Sequence, residues 1–482
     1  MTASSLANLI QSTADWFFMP WVVAVLLGTG LFLTVRTRVV QLRRFGDACR
    51  AAFVRAGSGG TGALTPFQAF MTSLAASIGT GNIAGVATAI VSGGPGALFW
   101  IWVYGFVATA IKFAEAVLGV TYREISGPSE RNGASGGARA SEASLSEGPE
   151  GTAAERRPRA PRTGPMYYLR DGLKSPALAT SFAVVAAVAA LTTTPFTQPN
   201  SMALVLNTVV GIPRIASGIA IAVLTWLVII GGIQAIGRAA EKLSPLKVSL
   251  YLIGGLVVIL SNVTRLPEVL ALILAGAFST KAAAGGALGW LVAMRYGIAR
   301  GVYANEAGYG TAAVAYGTAR SERPVQQGLN AVIEVFIVSF VTSTISAMTI
   351  LLTGVWQSGF TSSAAVAAAF NTAMPGIGGY IVAFCVFLFG YTTLIGWAYY
   401  GEQFFEYILG RKVTIPYRWI YCALIPFGAV SRVEVVWAWG DLMNALQVFP
   451  NVIGLIGLSG LVAKIARSPI VGPGPSDPGQ VR

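Results

Sequence analysis

The 482-residue chain is 54% hydrophobic and only 11% charged, with a net charge of +13. A soluble protein carries about 25% charged residues, so the composition excludes a soluble globular fold and reads as one large all-α domain in a bilayer. There is no histidine, which removes Ser–His hydrolysis, His-ligated zinc and His-ligated haem.

The basic residues cluster in short gaps between apolar runs. That is the positive-inside pattern, not the continuous basic face of a nucleic-acid binder. Cys49, Cys385 and Cys422 are far apart and match neither a metal spacing nor a disulfide framework. The last two sit in apolar runs as packing residues.

Residues 1–14 contain no Lys or Arg and no cleavage site, so no cleavable signal peptide is expected. The first transmembrane helix spans 16–35. A connector with Arg36, Arg38, Arg43, Arg44, Arg50 and Arg55 follows, read as a solvated cytoplasmic loop that leaves the N-terminus outside.

The second apolar run, 64–91, is long enough to cross a bilayer. Its centre is Gly79-Thr80-Gly81-Asn82. Each glycine weakens a helix by about 1 kcal/mol relative to alanine. An unwound turn at bilayer depth is tolerated only where its polar groups line a cavity or meet a ligand. The stretch therefore reads as the break of a discontinuous helix, with freed N–H groups facing a carboxylate and freed carbonyls a cation. The alternative is a close helix–helix seam at Gly81 and Gly85.

A Gly93-Gly94-Pro95-Gly96 turn leads to a helix over 97–120, where Lys112 and Glu115 are spaced for an ion pair. Residues 124–162 lack apolar content and are expected to be a disordered cytoplasmic loop. A helix over 176–210 is interrupted by Thr192, Thr193, Thr194, Pro195, Gln198, Pro199 and Asn200. The prolines predict a kink, unless this is a loop end at the surface. Helices over 215–233 and 248–260 flank a cytoplasmic gap carrying Arg238, Lys242 and Lys247.

The run 269–293 is again broken, at Gly276-Ala277-Phe278-Ser279-Thr280-Lys281-Ala282. Paired interrupted helices about 200 residues apart, in corresponding places of two halves, point to a transporter site. Residues 295–323 are expected inside. Further spans cover 326–352, which contains Glu334, then 376–404, 419–430 and 435–465. About eleven spans, threaded with the N-terminus out and the C-terminus in, put the basic gaps on one side.

Three motifs in order resemble the sodium:alanine (alanine or glycine:cation) symporter family. They are Ser77-Ile78-Gly79-Thr80-Gly81-Asn82-Ile83-Ala84-Gly85-Val86, Arg300-Gly301-Val302-Tyr303-Ala304-Asn305-Glu306-Ala307-Gly308 and Ile395-Gly396-Trp397-Ala398-Tyr399-Tyr400-Gly401-Glu402. Gly164-Pro165-Met166-Tyr167-Tyr168 also fits, and the likeness spans nearly the whole chain. The resemblance implies the leucine-transporter type of fold, a five-plus-five inverted-repeat core with two discontinuous helices and one extra N-terminal helix.

On that scheme residues 1–63 hold the extra helix and its connector, 64–264 the first repeat and 265–468 the second. Residues 469–482 are expected to be a disordered tail. The resemblance further implies a symporter, not an enzyme, that couples Na+ entry to uptake of a small neutral amino acid, alanine or glycine, across the plasma membrane. Substrate binding is expected from Gly79, Thr80, Gly81, Asn82, Gln198, Phe278, Thr393 and Trp397. Na+ ligands are expected from carbonyls of Ala75, Ser77 and Ile78, the Asn82 side chain, and the Thr392 and Thr393 hydroxyls. Such neutral oxygens suit a hard cation.

Apart from the resemblance, Trp397 and Phe278 read as core packing. Glu334, an acid within a span, stands where relatives tend to have a small residue. It is either an ion-coupling or proton-carrying group or a carboxylate paired with neighbouring hydroxyls. Alternatives are therefore a proton-coupled transporter and an amino-acid-binding channel or receptor. Beyond the bilayer and the amino acid, nothing in the sequence calls for a nucleic acid or an obligate protein partner.

Overall fold

The computed structural model describes residues 12–14, 16–53, 61–125, 160–280 and 289–470. Every regular element among them is helical. Among the described residues six helices are long and apolar enough to cross a membrane, or eight when each of two sharply bent pairs is counted as one span. The parts of the expected loop at 126–159 and of the tail at 471–482 lie outside the described residues.

The N-terminal helix α1 is Val23–Arg36, entered through a wide turn at Phe17–Val22. The connector after it is not a solvated loop. It forms α2 (Val40–Arg43) and α3 (Phe45–Phe53), and Arg44 is buried, donating to the carbonyls of Ala466 and Ser468. The arginine heads satisfy the C-terminal end of the last helix, where free carbonyls await donors.

The run 64–91 is broken as the glycines predict. α4 is Pro66–Ser77, started by a reciprocal cap between Thr65 and Gln68 with Pro66 in the first turn. After a short 3-10 turn, Thr80–Asn82, the chain restarts as α5, Ala84–Gly93. The two halves meet at 59°. α6, Ala97–Thr121, returns across the molecule as a mostly buried helix.

The ends of the long loop are fixed by a two-residue bridge between Glu124 and Arg162. α7 (Pro176–Thr192) and α8 (Thr194–Val210) join at Thr193 into one span. Its polar stretch is not a surface loop end, since Thr194, Thr197, Gln198 and Asn200 are all buried. α9 is Arg214–Ile229.

α10 runs unbroken over Gly232–Ser261, straight through the gap expected at Arg238, Lys242 and Lys247. Lys242 is exposed, but Lys247 is fully buried inside the bundle. A charge placed every few residues along a helix can face either water or the core, and sequence spacing alone assigned Lys247 to water.

The second break is displaced from its expected position. α11, Leu266–Ala277, is a 12-residue helix, too short to span. Lys281 and Ala282 of the proposed break lie outside the described residues. The interrupted span is instead α12 (Gly289–Asn305), a turn over 306–310, and α13 (Thr311–Gly317). Glu306, Gly308 and Gly310 all have positive φ, at 57°, 98° and 81°. Three such residues in five cannot continue a right-handed helix.

The two broken spans run antiparallel. Ala63 and Leu64, before α4, donate to Thr318 beyond α13, and Arg320 donates back to Leu64. At the other end, a Cβ on Gly93 would lie 2.8 Å from Cβ of Tyr296 on α12. Residues 295–323, expected together on the cytoplasmic side, instead extend alongside the whole length of the first broken span.

The remaining helices are α14 (Pro324–Val335), continued through a wide turn into α15 (Ser343–Thr353), then α16 (Ser362–Ala373) and α17 (Gly378–Leu409). α18 (Thr414–Val430) and α19 (Val433–Gly457) follow, and α20 (Ser459–Ile465) ends the bundle. Cys385 and Cys422 are buried free thiols, as their apolar surroundings predict.

Candidate substrate and ion site

The two breaks face each other across a narrow pocket that the surrounding side chains nearly fill. The first break contributes Ala76, Ser77, Gly79 and Gly81, and the second contributes Glu306 and Tyr309. Gln198, Tyr303, Thr393, Trp397 and Asn444 close the sides.

Two glycines are required by close approach. A Cβ on Gly79 would sit 2.6 Å from Thr393 Oγ1 and 3.1 Å from Gln198 Oε1. On Gly81 it would sit 2.6 Å from the Tyr303 ring. Side chains thus come against the unwound backbone itself, as the break implies.

Gln198 Oε1 accepts from the Thr80 backbone N–H at 3.1 Å and from its hydroxyl at 3.0 Å. A freed N–H of the break is therefore met by an oxygen acceptor at the cavity wall. Thr393 donates to the carbonyls of Ala75 and Ala76 at 3.2 and 2.8 Å. Trp397 Nε1 donates to Glu306 Oε1 at 2.6 Å, and Thr311 donates to Glu306 Oε2 at 2.9 Å. Trp397 is thus both a cavity wall and the brace of a buried carboxylate.

Phe278 is not part of this cavity. It is 60% exposed and packs edge-on against Phe99 and near Trp100, at the rim of the bundle. It was drawn in by the supposed break at 276–282. Because the true break is at 306–310, the residues that face the cavity from the second span are Tyr303, Glu306 and Tyr309. Asn444 and Thr194 were also missed. The turn-rich Asn305–Gly310 run and its acid were visible in the sequence, but the stretch read as a cytoplasmic loop.

The expected Na+ ligands separate into distinct groups. The carbonyls of Ala75 and Ile78 accept from Lys247 Nζ, at 3.1 and 2.6 Å, and Thr392 Oγ1 accepts from the same ammonium. The Ser77 hydroxyl donates to Glu334 at 2.7 Å, and its carbonyl accepts from Gly79 N–H at 3.0 Å. Asn82 Nδ2 donates to Thr342 Oγ1 at 3.3 Å, whereas Asn82 Oδ1 is buried with no partner. A buried acceptor left unpaired costs about 1–3 kcal/mol.

Glu334 carries no free charge. It accepts from Ser73, Ser77 and Tyr316 and pairs with Lys112 at 2.7 Å. Lys112 therefore does not pair with Glu115, one turn away. Glu115 instead accepts from the backbone N–H groups of Gly308 and Gly310 and from Asn451, bracing the second break. Donors freed by unwinding outcompete the helix neighbour because they have no other acceptor.

Towards the α5 end of the cavity, Arg300 pairs with Asp441 and lies over the rings of Tyr303 and Trp437. Tyr303 in turn donates to Thr197 Oγ1 at 2.9 Å. This cluster shuts the pocket on that side.

The sequence has relatives over most of its length. A model of the sodium:alanine symporter family matches residues 3–144 and 154–468. The chain is 35% identical over 470 residues to the sodium/alanine symporter AgcS of Methanococcus maripaludis, covering 96% of each. It is 32% identical over 459 residues to the probable sodium/glutamine symporter GlnT of Bacillus subtilis, covering 95% of this chain and 89% of the relative. Among solved structures, a mutant manganese transporter of Eremococcus coleocola shares the fold, with a TM-score of 0.51 at 14% identity over 83% of this chain and 77% of that one. The match over almost the full length, together with both broken spans, makes this multi-pass membrane protein a member of the sodium:alanine symporter family.

Proposed function

We propose that the protein is a secondary active symporter that couples Na+ entry to uptake of a small neutral amino acid, alanine or glycine. Its N-terminus lies outside the plasma membrane and its C-terminus in the cytoplasm. The observation that carries this reading is the narrow pocket between two unwound helix turns, with Gly79 and Gly81 on one wall and Glu306 on the other. A zwitterion fits both polarities. Its carboxylate meets the break N–H of Gly81 and, once Gln198 Oε1 gives way, that of Thr80, where helix ends favour negative charge. Its ammonium meets Glu306. Tyr303 and Trp397 leave no room for a large side chain, which favours alanine or glycine over glutamine.

Asn82 Oδ1 supplies the free oxygen for the coupling ion. The test is uptake of labelled alanine, glycine and glutamine into proteoliposomes with and without an inward Na+ gradient. Accumulation of alanine or glycine above the outside concentration, lost without Na+ and lost in Asn82→Ala, is the expected result. Equilibration that ignores Na+ would overturn it.

A further inference from the structure

Ser244, Lys247 and Tyr251 recur at three- and four-residue spacing along α10 and so share one face. That face docks on α4 of the first broken span and on α15. Ser244 donates to Met71 O at 3.2 Å, and Tyr251 OH lies 2.7 Å from Ser346 Oγ. Between them Lys247 reaches into the break, where its ammonium meets Ala75 O, Ile78 O and Thr392 Oγ1. The ring of Phe389 lies 5.2 Å from Nζ.

Lys247 is fully buried, and among the described residues no carboxylate lies within ion-pair distance of it. Buried ammonium groups normally sit beside an acid. This one is held by two carbonyls freed at a helix break, a hydroxyl from the facing helix and an aromatic face. Neutral oxygens in that arrangement are the ligand chemistry of a hard monovalent cation. They are also three of the six residues that the family resemblance assigned to Na+.

We propose that Lys247 is the resident cation of this seat. Its ammonium stands where a sodium ion would stand, ties α10 and α17 to the break, and leaves Na+ to bind at other oxygens. The inference rests on the symporter reading above. Two cations cannot share the same three oxygens, because each would lie within direct repulsion of the other with no carboxylate to offset it. The tether is also permanent: unlike a free ion, Lys247 cannot leave with the substrate, so this seat adds no sodium to the transport stoichiometry.

The experiment counts sodium ions bound per protein. Purified wild-type protein and Lys247→Ala are titrated with radioactive sodium, and their thermal melts are compared in sodium chloride and choline chloride. Removing the ammonium should open the seat. Lys247→Ala should bind one more sodium per protein than wild type, and sodium chloride should restore stability that it lacks in choline chloride. Lys247→Arg, which keeps the charge, should show the wild-type count.

Equal counts and equal sodium affinity in wild type and Lys247→Ala would overturn the proposal. If Lys247→Ala does not fold in either salt, Lys247→Gln is measured instead, since its amide still donates but carries no charge. Absence of sodium-driven alanine uptake by wild type sinks the symporter reading alone, because the sodium count is read by binding and not by transport.

Discussion

Lys112 Nζ lies 2.7 Å from Glu334 Oε1, and neither side chain has any exposed surface. The pair is the centre of a wider lock. Lys112 also donates to Ser77 Oγ and Asn305 O, and Glu334 accepts from Ser73, Ser77 and Tyr316. One buried pair thus ties both sides of the second break to the end of the first half-helix.

Breaking one side of this pair should be costly. Lys112→Met leaves Glu334 charged and buried, for which about 3–5 kcal/mol of destabilisation is expected. The double variant Lys112→Met, Glu334→Leu should recover part of that, because no lone charge remains. Thermal melts of the purified proteins in detergent give the comparison. A double variant no more stable than the single one would show that the uncompensated charge is not the cause.

Gly79→Ala should abolish uptake while the protein still inserts. The added Cβ meets Thr393 Oγ1 at 2.6 Å and Gln198 Oε1 at 3.1 Å, so it separates the wall from the break. Alanine uptake normalised to membrane-inserted protein is expected to fall at least about tenfold, which corresponds to about 1.4 kcal/mol. Wild-type uptake would mean that the break does not touch the substrate.

Trp397→Phe keeps the aromatic wall but removes the donor to Glu306 Oε1. A buried acceptor that loses its partner costs about 1–3 kcal/mol, here set against the bound state as well as the fold. The apparent KM for alanine should rise by one order of magnitude or more, and Trp397→Ala should be worse because the cavity also loses its wall. Kinetics of initial uptake rates distinguish the two effects.

Phe278→Ala offers the opposite expectation. The ring is 60% exposed and touches Phe99 and Trp100, not the cavity. The KM for alanine should stay within about twofold of wild type, as substitutions away from buried features usually do. A large rise in KM would return Phe278 to the substrate pocket and place the second break where the apolar run 269–293 suggested.

The first break was legible because two glycines, a threonine and an asparagine inside one apolar run weaken the helix at bilayer depth, although a close helix–helix seam would use the same small residues. Gln198, Thr393 and Trp397 were reached only through the family resemblance, and the structure brings all three to the cavity. The second break was not located. Its markers, Glu306, Gly308 and Gly310, lie in a short polar stretch flanked by arginines, which is also how a cytoplasmic loop looks. Arg300 misled for the same reason, since its charge is matched by Asp441 from a distant helix.

By itself the sequence determined that the chain is a helical membrane protein, and it pointed to the place where the second apolar run unwinds. Those are local matters of apolar length and backbone propensity. Only the tertiary structure decided which charges are buried and with whom. Lys112 chose Glu334 over Glu115, and Lys247 chose carbonyls over water. The reason is physical: a charge inside the bundle is stable only beside complementary groups, and these come from helices far apart in the chain.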